Sequence, residues 1–203
     1  MPAKPAMPAM PDLTVKPLTA TRWPDLEAIF LARGCSIPRG CWCMYYRESG
    51  NSPVPRGLTP PQARKQRLRE LVGGKVPPGL IAYQGKTPVG WISLGPREDF
   101  AKLARSPVMK PVDDAAVWSI VCFVVPSEYR HQGVAHALLE GAIAWCAKRG
   151  VRLLEAYPVD KARRGADEWM WFGAKSMFDR AGFTEVARRK PERPIVRLHL
   201  AEG

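Results

Sequence analysis

The chain has 203 residues, of which 46% are hydrophobic, and it carries a formal net charge of +12. This length suits one compact domain, and the hydrophobic fraction excludes a wholly disordered chain. The longest purely apolar run, residues 120–125, is too short to cross a bilayer, and the Pro/Ala-rich start lacks the pattern of a secretory signal. With five cysteines, an odd number, in a chain of this size, we expect reduced thiols, a cytoplasmic location and no membrane partner.

The first third of the chain contains a tail, a loop and three predicted elements. Residues 1–11 are rich in proline and alanine, and we expect a disordered tail there because such a segment can bury no face. Residues 12–203 then form one domain. Alternation and turn residues predict a strand at 13–18, a helix at 21–33, a Pro/Gly/Cys-rich loop at 35–58 and a basic helix at 59–72.

The remainder of the chain mixes a hairpin with a helical crossover. Gln84, Gly85 and Lys86 separate two apolar segments, which is typical of a β-hairpin. The predicted elements are strands at 80–83 and 89–94, a short helix at 97–105, a buried strand at 117–125, a helix at 133–149, a strand at 151–157, a helix at 171–181, and strands at 184–188 and 195–200. This order predicts an α+β (mixed α/β) fold.

A buried strand, a short polar turn and the long helix that begins at Gly133 form the segment richest in chemical signals. The start of a helix has backbone N–H groups without intrahelical partners and a positive dipole, which together bind anions. Gly133 and Ala135 leave space for a ligand, and Arg130, His131 and Gln132 add donors. The segment predicts a phosphate site; the alternative is an ordinary capped turn that contains a glycine.

The sequence Arg130-x-x-Gly133-x-Ala135, after a strand and before an amphipathic helix, resembles the pyrophosphate loop of the GNAT superfamily of acyl-CoA-dependent N-acyltransferases. The downstream segment that ends in Gly182 and Phe183 resembles the junction between the last helix and the following strand of that family. The resemblance spans residues 12–203. It implies one domain with a mostly antiparallel mixed central sheet, splayed at the cofactor site, and helices on both faces.

The resemblance also implies acetyl-CoA as the cofactor. Backbone N–H groups near the start of the long helix would hold the pyrophosphate, and the splayed strand edge would pair with the pantetheine arm. The residues assigned to the cofactor in this way are Phe123, Val124, Val125, Arg130, His131, Gln132, Gly133, Val134, Ala135 and Phe178. Three basic residues after a predicted strand, Lys161, Arg163 and Arg164, are further candidates for the phosphates of CoA or for an acidic acceptor.

Two positions depart from the family pattern. Phe178 lies where many members carry a tyrosine that protonates the departing CoA thiolate, and phenylalanine has no proton to give. In this chain that role is absent or belongs to Ser176 or to water. Ser119 lies where some members place an acidic general base.

Glu155 is the candidate general base, because a carboxylate in the middle of a buried strand is costly unless it has a task or a partner. The alternative is a buried ion pair with an arginine in the core. Glu98 and Asp99 are candidates on the solvent side.

Cys35, Cys41 and Cys43 do not have the spacing of common zinc sites, and no fourth ligand is close in sequence, so we predict no metal. We expect these thiols and the neighbouring aromatic residues to line the acceptor pocket, as this region often does in the GNAT family. Cys122 is expected to be an inert core residue rather than a nucleophile.

The sequence thus predicts an acyl-CoA-dependent N-acyltransferase, in the first place an acetyltransferase, that acts by direct transfer on an amine, preferably that of a small molecule. One alternative is a non-catalytic acyl-CoA sensor of the same fold. Another is a nucleic-acid-binding protein, suggested by the net charge of +12, although a charge run is usually a solvated face. The sequence is compatible with a monomer and with a homodimer.

Overall fold

The computed structural model describes residues 12–50, 52–161 and 170–201, so the tail predicted at 1–11 and the basic residues Arg163 and Arg164 lie outside the described residues. The strands are β1 (Leu13–Pro17), β2 (Gly79–Gln84), β3 (Thr87–Pro96), β4 (Trp118–Val124), β5 (Leu153–Ala156), β6 (Thr184–Lys190) and β7 (Arg193–His199). The helices are α1 (Trp23–Leu31), α2 (Ser36–Cys41), α3 (Pro60–Val72), α4 (Ala101–Arg105), α5 (Val134–Ala147) and α6 (Lys175–Arg180).

The described strands form one seven-stranded sheet in the order β1-β2-β3-β4-β5-β7-β6. Every neighbouring pair is antiparallel except β4 and β5, which run parallel and are connected through α5. A parallel pair needs a crossover of this kind, whereas tight turns suffice for the antiparallel pairs. The predicted α+β fold with a mostly antiparallel mixed sheet is confirmed.

Two apolar cores lie on opposite faces of the sheet. One contains buried residues of α1, α3 and α4, such as Phe30, Leu68 and Leu103. The other contains buried residues of α5 and α6, such as Leu138 and Phe178. Helices therefore cover both faces, and none of those described has the length and apolar character needed to span a bilayer.

Two glycines let α5 approach the sheet closely. A Cβ at Gly141 would lie 2.5 Å from Val15 of β1, and a Cβ at Gly90 of β3 would lie 2.6 Å from Val134 of α5. Contacts this short do not occur between real side chains, so both positions require glycine for this packing. The contacts fix the first turn of α5 against the sheet.

Strand β4 is irregular where it passes this turn. Its pairing with β3 shifts from Ser93–Cys122 to Leu94–Ile120, so Val121 forms a β-bulge. On its other side, β4 pairs with β5 over three residues only, from Trp118 to Ile120. The following residues of β4 therefore extend beyond β5, which is the predicted splay.

Two elements differ from the sequence prediction. The segment read as a loop at 35–58 contains the helix α2, in which Pro38 occupies the first turn, where its missing N–H costs no hydrogen bond. The helix predicted at 171–181 begins only at Lys175, because Gly173 adopts a positive φ of 77° and ends the preceding turn. Proline and glycine mark irregular backbone without showing on which side of them a helix lies.

Candidate active site

A cleft of about 850 Å³ runs from the start of α5 along the extending part of β4. Its other walls come from the segment around α2 and from the residues just before and within α6. This volume is typical of a site for a small organic molecule or a cofactor.

The start of α5 presents backbone donors to this cleft. The first intrahelical bond joins the N–H of Ala137 to the carbonyl of Gly133, so the preceding N–H groups have no acceptor within the helix. Gly133 has a φ of 80° and His131 a φ of 62°. A left-handed backbone is uncommon for residues other than glycine, and such residues cluster at functional sites. The turn therefore has the features of an anion site.

The structure brings most of the predicted cofactor residues to the cleft. The predicted residues that line it are Phe123, Val124, Val125, Arg130, His131, Gly133, Val134, Ala135 and Ser176. Gln132 and Phe178 do not line it, and neither does Glu155. The Gln132 side chain instead donates to the carbonyl of Glu128 at 2.6 Å.

Arg130 connects the turn at residues 130–133, which we call the anion turn, to the rest of the cleft wall. Its Nε donates to the carbonyl of Val125 at 3.0 Å, and its terminal nitrogen donates to the carbonyl of Gly34 at 2.7 Å. The guanidinium thus joins the end of β4 to the segment between α1 and α2. Arg130 orders the turn as well as contributing positive charge to the cleft.

The exposed edge of β4 is not wholly free. The N–H of Phe123 donates to the carbonyl of Trp171 at 2.6 Å, and the carbonyl of Val125 accepts from Arg130. The expectation that this edge pairs with the pantetheine arm is corrected at these two atoms, because the segment before α6 returns across the splay to accept from Phe123, and Arg130 occupies the carbonyl of Val125. A parallel bridge between Val159 and Ala174 holds that segment in place.

Phe178 lies in the core beneath the cleft rather than in its wall. It is fully buried, and its ring lies 6.1 Å from that of Phe123 and 5.1 Å from that of Phe183. Ser176, two residues earlier on α6, is exposed and lines the cleft. Of these two candidates, only Ser176 has a hydroxyl and a position next to a bound ligand.

Glu155 belongs to a buried ion-pair network. Its carboxylate accepts from Arg197 at 2.8 Å and from the hydroxyl of Tyr157 at 2.7 Å, and Arg97 lies 3.8 Å away. Tyr157 in turn shares a hydrogen bond of 3.0 Å with the fully buried Ser119. Glu155 is itself fully buried, so this arrangement favours the alternative of a core ion pair over a general base.

The two solvent-side carboxylates also lie away from the cleft. Asp99 pairs with Arg47 at 3.1 Å, and Glu98 is exposed beside it. Neither lines the cleft. The described part of the cleft wall therefore contains no carboxylate.

Three thiols meet in the wall opposite the start of α5. Cys43 contacts Cys41 and Cys122, and all three residues line the cleft. The contact with Cys43, followed by burial, raises the pKa of the Cys41 thiol, and the contact with Cys122 raises that of Cys43. Cys41 and Cys43 are therefore protonated at neutral pH. No group of three or more His, Cys, Asp or Glu residues in the described ranges is placed to hold a metal ion.

Aromatic residues complete the cleft near these thiols. Tyr45 and Tyr46 pack edge to face at 5.0 Å, and Tyr46 contacts Trp171. Burial raises the pKa of Tyr46 to about 12, so its hydroxyl keeps its proton at neutral pH. The sequence analysis placed Tyr45 and Tyr46 near the acceptor. It did not identify Met170 and Trp171 as cleft residues, because they reach the cleft only where the segment before α6 crosses β4.

These features fit an acyl-CoA. The left-handed turn and the free donors of α5 suit a diphosphate, and Arg130, Lys161 and Arg180 add positive charge to the cleft. The bulged strand and the length of the cleft leave space for an extended arm. The described thiols and aromatic rings of the wall carry no formal charge, so this part of the cleft suits a thioester and a compact acceptor.

The comparisons with known proteins agree with this geometry. An acetyltransferase from Thermus thermophilus is 18% identical, with a TM-score of 0.52, and the match covers 93% of this chain and 97% of that one. A mutant agmatine N-acetyltransferase in its apo form is 14% identical, with a TM-score of 0.54 over 93% and 100% of the two chains. The PaiA N-acetyltransferase from Thermoplasma acidophilum, solved with coenzyme A, is 15% identical, with a TM-score of 0.50 over 93% and 99%.

At these identities the structural matches establish the fold alone. No curated protein matches the chain. The Acetyltransferase (GNAT) family matches residues 42–170, which include Cys43 and Cys122 of the thiol wall, strand β4, the anion turn and helix α5. Because that match covers more than half of the sequence, and the sheet, bulge and anion turn agree with it, the chain belongs to the GNAT family of acetyltransferases.

Proposed function

We propose that this protein transfers an acetyl group from acetyl-CoA to the amine of a small molecule. The observation that carries the proposal is the continuous cleft that joins the donors of α5 to the bulged strand β4 and the wall of thiols and aromatic rings. The volume of about 850 Å³ and its enclosure by side chains from several elements support a compact acceptor.

In this proposal, backbone N–H groups from Gly133 to Ala135 hold the pyrophosphate, and Lys161 and Arg180 contribute charge. The segment of β4 after the bulge at Val121 orients the arm that carries the thioester. Placing thioester and amine together in one cleft supplies most of the rate acceleration, since direct transfer needs no covalent enzyme intermediate.

The chemical step is a direct displacement. The amine nitrogen attacks the thioester carbonyl carbon, a C–N bond forms, and the C–S bond breaks. The nitrogen loses one proton and the departing sulfur gains one. Ser176 and Tyr46 are two of the cleft residues that carry a hydroxyl group, and we assign them the transfer of this proton. Glu155 is assigned no part in it because of its pairing with Arg197.

The experiment is a calorimetric titration of the protein with acetyl-CoA, followed by an assay of free thiol with pooled amines. Ala135 lines the cleft in the first turn of α5, so Ala135→Glu places a negative charge beside the proposed pyrophosphate site. We expect about tenfold weaker binding or more, because like charges repel there. The change does not threaten the fold, since acidic residues stabilise the first turn of a helix.

Ala137→Glu is the matched control, because Ala137 lies on the same helix but does not line the cleft. It should leave acetyl-CoA binding unchanged within about twofold. The proposal fails if the folded wild-type protein takes up no acetyl-CoA, or if both variants weaken binding equally.

The structure also favours one second candidate, an acyl-CoA sensor without turnover. Phe178 offers no proton, Glu155 is confined to the core, and the N–H of Phe123 already has a partner in Trp171. Binding of acetyl-CoA without release of thiol in the presence of amines would support the sensor. A nucleic-acid ligand has less support, because Arg64 and Arg67 of the basic helix α3 both pair with Glu48.

None of the five cysteines, all of which are described, forms a disulfide. This supports the proposal that the protein works in a reducing compartment such as the cytoplasm.

A further inference from the structure

The acceptor end of the cleft has an unusual electrostatic character for an enzyme that acts on amines. We define this end by the six residues Cys41, Cys43, Tyr45, Tyr46, Met170 and Trp171, which surround the middle of β4. Cys122, which contacts Cys43, lies three residues before Val125, whose carbonyl accepts from Arg130, and is therefore about 10 Å from Val125 along the strand. The acceptor end is thus separate from the donors of α5.

No carboxylate is available at this end within the described residues, since none lines the cleft. The two buried carboxylates nearest in the fold are already paired. Glu48 binds both Arg64 and Arg67, and Glu155 binds Arg197. An ammonium group entering the cleft would therefore find no described counter-ion.

Positive charges lie immediately behind the aromatic wall. The ammonium of Lys102 lies 3.5 Å from the centre of the Tyr45 ring. The guanidinium of Arg193 lies 4.2 Å from the centre of the Phe172 ring, which packs at 5.4 Å against Tyr46. Lys102 already occupies a face of the Tyr45 ring that could otherwise attract a cationic ligand. Lys102 and Arg193 both repel a further positive charge.

We propose that the acceptor is an amine that is uncharged at neutral pH, such as an aromatic amine, and that this site excludes aliphatic diamines and polyamines. The inference rests on the proposed acetyl transfer and specifies its acceptor. An uncharged amine needs no proton removed before it attacks the thioester. The proton that its nitrogen loses afterwards equals the one that the sulfur gains, so the reaction balances without a dedicated carboxylate base.

The wall also fits the shape of such an acceptor. Tyr45, Tyr46 and Trp171 present flat aromatic surfaces, while Met170 and the thiols of Cys41 and Cys43 are small, polarisable and protonated. Aromatic rings pack well against one another in offset or edge-to-face arrangements. Methionine and cysteine adapt to rings of different shape.

The test compares aniline with cyclohexylamine at pH 7, using all 203 residues, which include Asp167 and Glu168. The two amines have rings of similar size, but the aliphatic amine is protonated at this pH, as lysine is. Release of CoA thiol from acetyl-CoA gives kcat/KM for each. We expect a value at least about tenfold higher for aniline, and a cyclohexylamine rate that rises with pH as the free amine accumulates.

A variant of the protein tests the electrostatic cause. Lys102→Met removes the charge behind Tyr45, so the ratio of cyclohexylamine to aniline kcat/KM should rise about threefold. Lys86→Met removes a charge from the turn between β2 and β3, where the side chain does not line the cleft, and should leave the ratio unchanged.

Calorimetry with acetyl-CoA, performed first, separates the possible failures. If the protein takes up no acetyl-CoA, the proposed function itself is lost. If it binds acetyl-CoA but acetylates cyclohexylamine or spermidine as efficiently as aniline at pH 7, only the acceptor inference is overturned. Binding of acetyl-CoA with no transfer to any of these amines also overturns it and supports the sensor.

Discussion

At the scale of single residues, Glu155 shows why a buried carboxylate needs its partners. Its charge is balanced by Arg197 at 2.8 Å, and Arg97 lies 3.8 Å away. Arg197 also binds Asp113, so two strands and the segment before β4 meet at one guanidinium. Removing one charge from such a group leaves the others buried without balance.

We therefore expect Glu155→Gln to lower the free energy of unfolding by about 3 kcal/mol. The turnover of the folded protein should remain, because Glu155 does not line the cleft. Urea denaturation measures the stability, and thiol release at a temperature where both proteins are folded measures turnover.

Glu98→Gln serves as the control for this change. Glu98 is exposed, so its loss should alter stability by less than about 0.5 kcal/mol. A large loss of turnover in Glu155→Gln at unchanged stability would contradict the structural role and restore Glu155 as the base.

At the scale of elements, the position of α5 determines the geometry of the anion turn. Gly141 allows the middle of this helix to lie against Val15 of β1, and Gly90 allows its first turn to lie against β3. The N-cap of the helix is the left-handed Gly133, and Gly133, Val134 and Ala135 line the cleft with N–H groups that have no acceptor within the helix. Packing far from the ligand thus places the groups that would bind it.

Gly141→Ala should destabilise the protein by about 1–2 kcal/mol, although alanine is the better helix former. The added Cβ would lie 2.5 Å from Val15, and the helix must shift to relieve this contact. Thermal or urea unfolding measures the change.

Gly40→Ala is the matched substitution, because Gly40 lies in α2 and a Cβ added there would meet no atom within 4 Å. There alanine should be neutral or stabilise by up to about 1 kcal/mol. Equal effects at the two positions would show that the close approach of α5 to β1 does not limit stability.

At the scale of the whole molecule, paired charges hold distant segments together despite the net charge of +12. Asp113 lies before β4 and accepts two hydrogen bonds from Arg197 of β7, at 2.6 and 2.8 Å. These bonds, with that from the N–H of Ala115, lower the pKa of Asp113 from 3.8 to about 2. A carboxylate whose pKa is lower in the folded state stabilises that state while it is ionised.

The contribution of Asp113 is therefore complete above pH 3.8 and disappears as the pH falls through about 2. Asp113→Asn should be less stable than the wild type at pH 7, and the difference should shrink between pH 4 and pH 2. Urea unfolding of both proteins across this range measures it. Parallel losses of stability in the two proteins would show that Asp113 does not contribute to the acid transition.

The sequence by itself determined the fold class and the family resemblance, and it located the turn at the start of α5. Apolar periodicity identified β4 and α5, since both are long and regular, and Arg130, Gly133 and Ala135 lie so close together that their spacing fixes their relation. Helix α2 was missed because Pro38 and Gly40 are equally typical of loops.

Tertiary structure alone decided that Glu155 pairs with an arginine in the core and which residues form the acceptor end. The partner of Glu155 is Arg197, 42 residues away, and no local pattern shows whether a buried carboxylate faces an arginine or a cleft. Likewise, Trp171 reaches Phe123 only because the segment before α6 crosses the splay of β4. Contacts between residues distant in sequence depend on how the strands are ordered in the sheet, and that order arises only when the whole chain packs.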